Sequence, residues 1–158
     1  MPKLKNVLAG KRAKTNGSWF ELALHRAAGS YGWSVIKIPD GCRQIGGGKL
    51  LRVATPFDFV FSKKRQVVFI DAKTTSENTF SKSKIKPHQL DALYEQELQG
   101  LLAGYIVYFQ ETKKTVFYSA TLLKSISQNE GLSQDQGVCL GTEMKIYLDL
   151  LFASDNRA

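Results

Sequence analysis

Two carboxylates and a lysine interrupt the most apolar part of this chain. Asp58 lies within FDFVF (57–61), Asp71 within VVFIDA (67–72), and Lys73 two residues beyond Asp71. A strand-end carboxylate is ordinarily just solvated. Inside strands of Phe and β-branched residues, however, an unpaired charge carries a desolvation penalty that needs a compensating partner. Oxygen donors of this kind suit magnesium, which keeps several waters and is usually held by one or two carboxylates together with a substrate phosphate. Asp58 and Asp71 supply the carboxylates, and the carbonyl of Ala72 supplies a third oxygen. Lys73 can position or help deprotonate an attacking water and can offset charge on a phosphoryl transition state. The chemistry described by this set is metal-dependent phosphodiester hydrolysis.

These side chains must be positioned by the strands that carry them. Both runs are rich in residues that favour pleated structure, and the link Ser62-Lys63-Lys64-Arg65 is short and polar, so a β-hairpin is expected. A turn centred between Lys63 and Lys64 sets Asp58 opposite Phe69. Alternation then places Phe69, Asp71 and Lys73 on one face and Val68, Ile70 and Ala72 on the other. Asp58 and Asp71 become diagonal neighbours about 7–8 Å apart at the backbone.

Upstream, Ser18 and Glu21 form an S-x-x-E capping box that starts a helix, with Trp19, Leu22, Ala23 and Ala27 as its apolar face and an end near Gly29. Glu21 has a structural reading as a cap and a functional one as a third acid, if its helix end packs over the sheet. Residues 32–38 read as the first strand. Residues 39–54 read as a basic loop projecting from the sheet. Its Gly46-Gly47-Gly48-Lys49 run is not a nucleotide-phosphate loop, because Leu50 follows the lysine and Arg43 stands where the first glycine belongs. Downstream, 74–86 is polar and lysine-rich, hence a loop. Pro87 opens a helix carrying Gln89, Leu90, Leu93, Tyr94, Glu97, Leu98 and Leu101 at helical spacing. Gln89 could orient the water or the metal from there. Strands follow at 105–109 and 115–119, then a short helix at 120–128, a loop at 129–142 and a strand at 144–152. The order α-β-β-β-α-β-β-α-β describes an α/β fold, a central mixed sheet flanked by helices.

The chain has 158 residues and a net charge of +8. The charge is uneven: residues 1–65 hold 13 Lys/Arg against Glu21, Asp40 and Asp58, whereas residues 66–158 hold 9 against 11 acids. A basic half on a near-neutral half points to one face built for a polyanion, with nucleic acid as the expected partner. Residues 1–15 read as a flexible basic arm, with 16–158 as one nuclease domain. Candidate DNA contacts are Lys11, Arg12 and Lys14 in the arm, Arg43, Lys49 and Arg52 in the projecting loop, and Thr74, Lys82, Lys84 and Lys86 after the hairpin. No apolar run approaches the ~18 residues of a membrane span. The N-terminus lacks the apolar core of a secretory signal, and Cys42 and Cys139 form neither a zinc spacing nor a disulfide framework. Together these features fit a reducing, cytoplasmic setting.

An acid on the first helix, P-x-D on one strand and D-x-K on the next resemble the PD-(D/E)XK nuclease superfamily. Within it, NGSWFE, ATPFDFVF, FIDAKTT and the later HQ before a helix resemble RecU-type Holliday junction resolvases and their archaeal and phage relatives, over roughly residues 11–110. Two departures are Phe57 between Pro56 and Asp58, and Asp71 where Glu is commoner. The resemblance implies a restriction-endonuclease-like core, Mg²⁺ (or Mn²⁺) as cofactor, a homodimer, and paired symmetric nicks in four-way junction DNA. It also implies a nucleoid-associated location, or the host cytoplasm for a phage protein. Glu21, Asp58 and Asp71 match the family's metal-site acids, Lys73 its catalytic lysine and Gln89 its glutamine. Thr55 and Thr74 stand where neighbouring polar residues occur, and 39–54 lies where such proteins carry a stalk. Two other readings are a different nuclease on the same core and a non-catalytic DNA-binding module; the complete acid and lysine set argues against the second.

Overall fold

The computed structural model describes residues 17–142 and 145–153. The expected basic arm lies outside those residues. A six-stranded sheet forms the centre, in the order β1-β4-β5-β7-β8-β10. Its strands are β1 (Ser34–Lys37), β4 (Phe59–Lys63), β5 (Gln66–Thr75), β7 (Leu102–Phe109), β8 (Lys114–Ser119) and β10 (Val138–Thr142). Neighbours are antiparallel except β5 and β7, which run parallel. A parallel pair needs a crossover, and helix α2 (Pro87–Leu98) provides it. Helix α1 spans 17–30, and α3 is Ala120–Ser125. Two small ribbons lie outside the main sheet: β2 (Gly41–Ile45) with β3 (Lys49–Val53), and β6 (Thr79–Ser81) with β9 (Gly131–Ser133).

The hairpin alternation builds two apolar layers. Val68, Ile70 and Ala72 join Phe59 and Phe61 under α1, which contributes Phe20, Leu24, Ala27 and Ala28. On the other face, Leu90 and Leu93 of α2 pack on Ala103, Tyr105 and Val107, with Phe69 at the margin. The α1 stripe is therefore rotated from expectation: Trp19 and Leu22 are exposed while Phe20 and Leu24 are fully buried. Residue 17 is already helical, so Ser18 lies inside α1 and not at its N-cap. Its other end closes as expected near Gly29. Trp33 N–H reaches Ala28 O (3.0 Å), Gly32 N–H reaches Gly29 O (3.1 Å), and Gly32 takes the left-handed φ of 82° that such a closure needs.

The β4–β5 pairing differs from the expected register by two residues. Lys63 pairs with Gln66 and Val60 with Phe69, so the turn is centred between Lys64 and Arg65. A slip of two keeps every side chain on its face, which is why the face assignment survives. Lys64 holds φ 57°, a left-handed conformation that a side chain resists by about 1–2 kcal/mol. Replacing it with Gly relieves that strain and adds back some unfolded-state entropy. The expected net gain for Lys64→Gly is about 0.5 kcal/mol, read from urea denaturation midpoints.

Three further expectations are corrected. The 39–54 loop is the β2–β3 ribbon, turning at Gly47 and Gly48 with φ of 80° and 73°. The 74–86 and 129–142 loops contain β6, β9 and β10, and β5 runs on to Thr75. The final strand is a single bridge, Gly141 to Ile146, followed by a 3₁₀ helix at Leu148–Phe152 that buries Leu148 and Leu151. A 3₁₀ turn repeats every three residues, so the alternation of apolar residues there is not a strand signal. Met144 lies outside the described residues.

Candidate active site

Asp58 lies one residue before β4, where its N–H bonds Ile70 O (3.0 Å) and its carbonyl accepts from Ile38 N–H (2.8 Å). Anchored on both sides, its Oδ2 accepts the backbone N–H of Ala72 at 2.9 Å. The Asp58 carboxylate is thus fixed against the 71–72 peptide, which is closer than the expected diagonal placement.

Asp71 is fully buried at mid-β5, in register with Tyr105 of β7. Gln89 of α2 donates through Nε2 to Asp71 Oδ1 at 3.0 Å. Lys73 Nζ stands 2.6 Å from Oδ2 and is partly exposed, joining the carboxylate to solvent. That contact is ionic: Oδ2 has no directed hydrogen bond, and neither has Gln89 Oε1. Burial pushes the Asp71 carboxyl up to about 7; the Lys73 charge opposes this and the Asp58 charge adds to it. The Tyr105 hydroxyl is also buried without a hydrogen-bond partner, and its acidity is suppressed by burial and then by the charges of Asp71 and Asp58.

The donor set tests well against a hard cation. Two carboxylates meet at one peptide, one of them buried with an oxygen lacking a directed hydrogen bond. All donors are oxygens, as Mg²⁺ or Mn²⁺ prefers over softer metals. Among the described residues no group of three His, Cys, Asp or Glu side chains converges. The protein thus offers a partial oxygen shell, the kind Mg²⁺ completes with water and phosphate. The Ala72 carbonyl is on the same segment.

The other expected residues are more scattered. Glu21 sits on α1, ion-paired with Lys37 beside Phe59, and Lys37 Nζ lies 5.1 Å over the Phe59 ring. That is the α1 side of the sheet, whereas the charges that bear on Asp71 are those of Lys73 and Asp58. Lys82 Nζ caps the end of α3 through Ile126 O (2.7 Å). Lys84 pairs with Glu77 at 3.1 Å. Arg43, Lys49 and Arg52 are exposed on the ribbon, Lys86 is exposed at the start of α2, and Thr55 and Thr74 are half-buried. Lys11, Arg12 and Lys14 lie outside the described residues.

Sequence reasoning missed Tyr105 and His88. Tyr105 stood in the run YIVYF and read only as core; its pairing with Asp71 depends on the parallel register, which no local pattern encodes. His88 was visible as half of the HQ pair; it stands exposed in the first turn of α2, between Lys86 and Gln89.

The profile of Recombination protein U matches residues 31–140. The chain belongs to the Recombination protein U family. That match spans β1 through most of β10 and so includes Asp58, Asp71, Lys73 and Gln89. Among solved structures, the fold is similar to Hjc of Archaeoglobus fulgidus, a Holliday junction resolvase from an archaeal hyperthermophile. The TM-score is 0.58 at 16% identity, covering 78% of this chain and 95% of that one. Comparison with curated proteins returns no match. A member of this family with a mixed sheet flanked by helices has the restriction-endonuclease-like fold expected from the sequence.

Proposed function

We propose that the protein is a metal-dependent endonuclease that resolves four-way DNA junctions by paired, symmetric phosphodiester hydrolysis. Its family is one of Holliday junction resolvases, so nuclease action on recombining DNA follows from membership. One observation carries the assignment to particular residues: Asp71, fully buried, contacts Lys73 at 2.6 Å and Gln89 at 3.0 Å and sits beside the anchored Asp58. Asp58, Asp71 and the Ala72 carbonyl would hold Mg²⁺ or Mn²⁺, which supplies a Lewis acid and an acidified water. Lys73 offsets charge at the scissile phosphate and can accept or donate a proton there. Gln89 holds the Asp71 carboxylate in orientation. Glu21 is ion-paired with Lys37, next to Ile38, whose N–H bonds the Asp58 carbonyl. The basic ribbon and the Lys86 region guide DNA to it electrostatically. A four-way junction presents two equivalent strands for cutting, and a two-fold homodimer matches that symmetry with two sites. No helix among the described residues is long and apolar enough to cross a membrane; a nucleoid-associated, cytoplasmic enzyme is the location that fits this activity.

The test sets a synthetic four-way junction beside linear duplex of the same sequence, with Mg²⁺. Symmetric nicks near the branch and a resistant duplex are expected; equal cutting of both overturns junction selectivity. Gln89→Ala tests the support role. Leaving Asp71 Oδ1 buried without its donor should weaken Mn²⁺ binding by about 10–100-fold, read by calorimetry.

A further inference from the structure

Beside the Asp71–Gln89 hydrogen bond lies a cavity of about 280 Å³. One wall is the foot of the β2–β3 ribbon, with Asp40, Arg52 and Thr55; the other is the start of α2, with Lys86, His88 and Gln89. Three of these side chains can present cationic or N–H donor groups to an anion. The single carboxylate, Asp40, faces Arg52 at 3.9 Å and is offset by it. The 12-residue α2 begins with Pro87 and has no side-chain cap, so the positive end of its dipole faces the same space.

That polarity alone names no ligand. Gln89 adds an independent observation. Its side chain is 5% exposed, Nε2 is committed to Asp71, and Oε1 is buried without a hydrogen-bond partner. A buried amide oxygen left unpaired costs about 1–3 kcal/mol, so a polar partner that reaches Gln89 from the cavity would be stabilised there. Gln89 is therefore shared between the cavity and the buried carboxylate.

We propose that the cavity is a phosphate subsite. It holds a non-scissile phosphodiester of the strand being cut, adjacent to the one at Asp58 and Asp71. Lys86 and His88 grip it from α2, and Arg52 closes on it from the ribbon. An imidazole N–H can donate to phosphate in either protonation state, Lys86 adds a point charge, and Arg52 can chelate two oxygens. Water carried with the phosphate can donate to Gln89 Oε1. Lys86, His88 and Arg52 are then positioning residues: fixing the neighbouring phosphate registers the scissile one over the carboxylates. The inference rests on the resolvase reading and deepens it.

The experiment is a substitution cycle between protein and DNA. The wild type first maps its cleavage position on a synthetic junction with Mg²⁺. Metal-free binding is then measured for wild type, H88Q, K86Q/H88Q and R52Q. Each is tested against the unmodified junction and against junctions carrying one methylphosphonate at a phosphodiester flanking the cut. At one flanking position the neutral linkage should weaken wild-type binding about tenfold and weaken K86Q/H88Q less than about twofold, and the variant's salt slope should fall by about one. R52Q should shrink the same penalty from the opposite wall, which keeps the test independent of the folding of the α2 variants. Equal methylphosphonate penalties in wild type and all variants, at every flanking position, overturn the subsite while leaving the resolvase reading intact. A wild type that cuts no junction overturns the resolvase reading instead.

Discussion

Asp71→Asn is expected to stabilise the metal-free protein at neutral pH and to extinguish cleavage. Burial raises the folded-state pKa of this carboxyl from 3.8 to about 7. Between those values the folded protein keeps a proton that the unfolded chain has released. The sign follows: Asp71's contribution to stability is fully present below the unfolded value and is lost as pH rises towards 7. At pH 8, in EDTA, the wild type carries the full cost of a buried charge that Lys73 offsets only in part. Asn removes the charge at nearly constant volume and can still accept from Gln89 Nε2. Lys73 loses its counter-ion but is partly exposed and can turn to water. The expected gain is roughly 1–3 kcal/mol at pH 8, shrinking towards pH 5. The same substitution removes a negative ligand from the proposed metal site, so cleavage should fall on the order of 10³-fold or more. Added Mg²⁺ should raise the melting temperature of the wild type and not of the variant. Thermal unfolding across pH and a junction cleavage assay check both halves. A variant that cuts normally removes Asp71 from the site; a less stable variant means the buried charge is better compensated than its surroundings indicate.

That stability cost explains why the candidate site was legible in the sequence at all. Asp58 and Asp71 stood out because charge in an apolar strand is expensive, and the fold bears the expense through Ala72 N–H, Gln89 and Lys73. Face assignment needed only alternation, which tolerates the two-residue error in register that Lys64 introduced by adopting a left-handed turn. Gln89 was recoverable because helical spacing from Pro87 is reliable. Where local signals competed, the reading failed. Gly46–Gly48 suggested a loop, yet they are the turn of a ribbon whose Leu50 and Leu51 remain exposed. Apolar alternation at 144–152 suggested a strand, yet Leu148 and Leu151 are brought to the core by a 3₁₀ repeat. On α1 the choice between Trp19/Leu22 and Phe20/Leu24 as the buried stripe decides where Glu21 points. Both stripes are apolar, so only burial in the layer with Phe59 and Phe61 selects one. Residues acting through long-range pairing, such as Tyr105 against Asp71, have no local signature.

Replacing Lys73 should be nearly as costly to catalysis as replacing Asp71, with the opposite effect on the folded protein. The ammonium is 2.6 Å from a buried carboxylate and lowers that carboxyl's pKa against the pull of burial. Lys73→Met removes this counter-charge, so Asp71 becomes harder to ionise and the metal-free protein loses stability near neutral pH, where the wild type is partly ionised. Cleavage should fall about 10²–10⁴-fold, through loss of charge at the transition state and of a group able to move a proton. Lys73→Arg separates these two contributions. A guanidinium keeps the positive charge beside Asp71 but does not deprotonate at any working pH. If Lys73 acts only as a charge, Arg should recover most of the rate. If it also handles the proton of the attacking water, Arg should recover stability and leave the rate low. The second outcome is expected: a half-buried lysine that bridges a buried carboxylate to solvent has a route for proton exchange. Single-turnover rates at saturating junction, set against melting temperatures in EDTA, distinguish the two. Recovery of both rate and stability by Arg would reduce Lys73 to an electrostatic partner of Asp71.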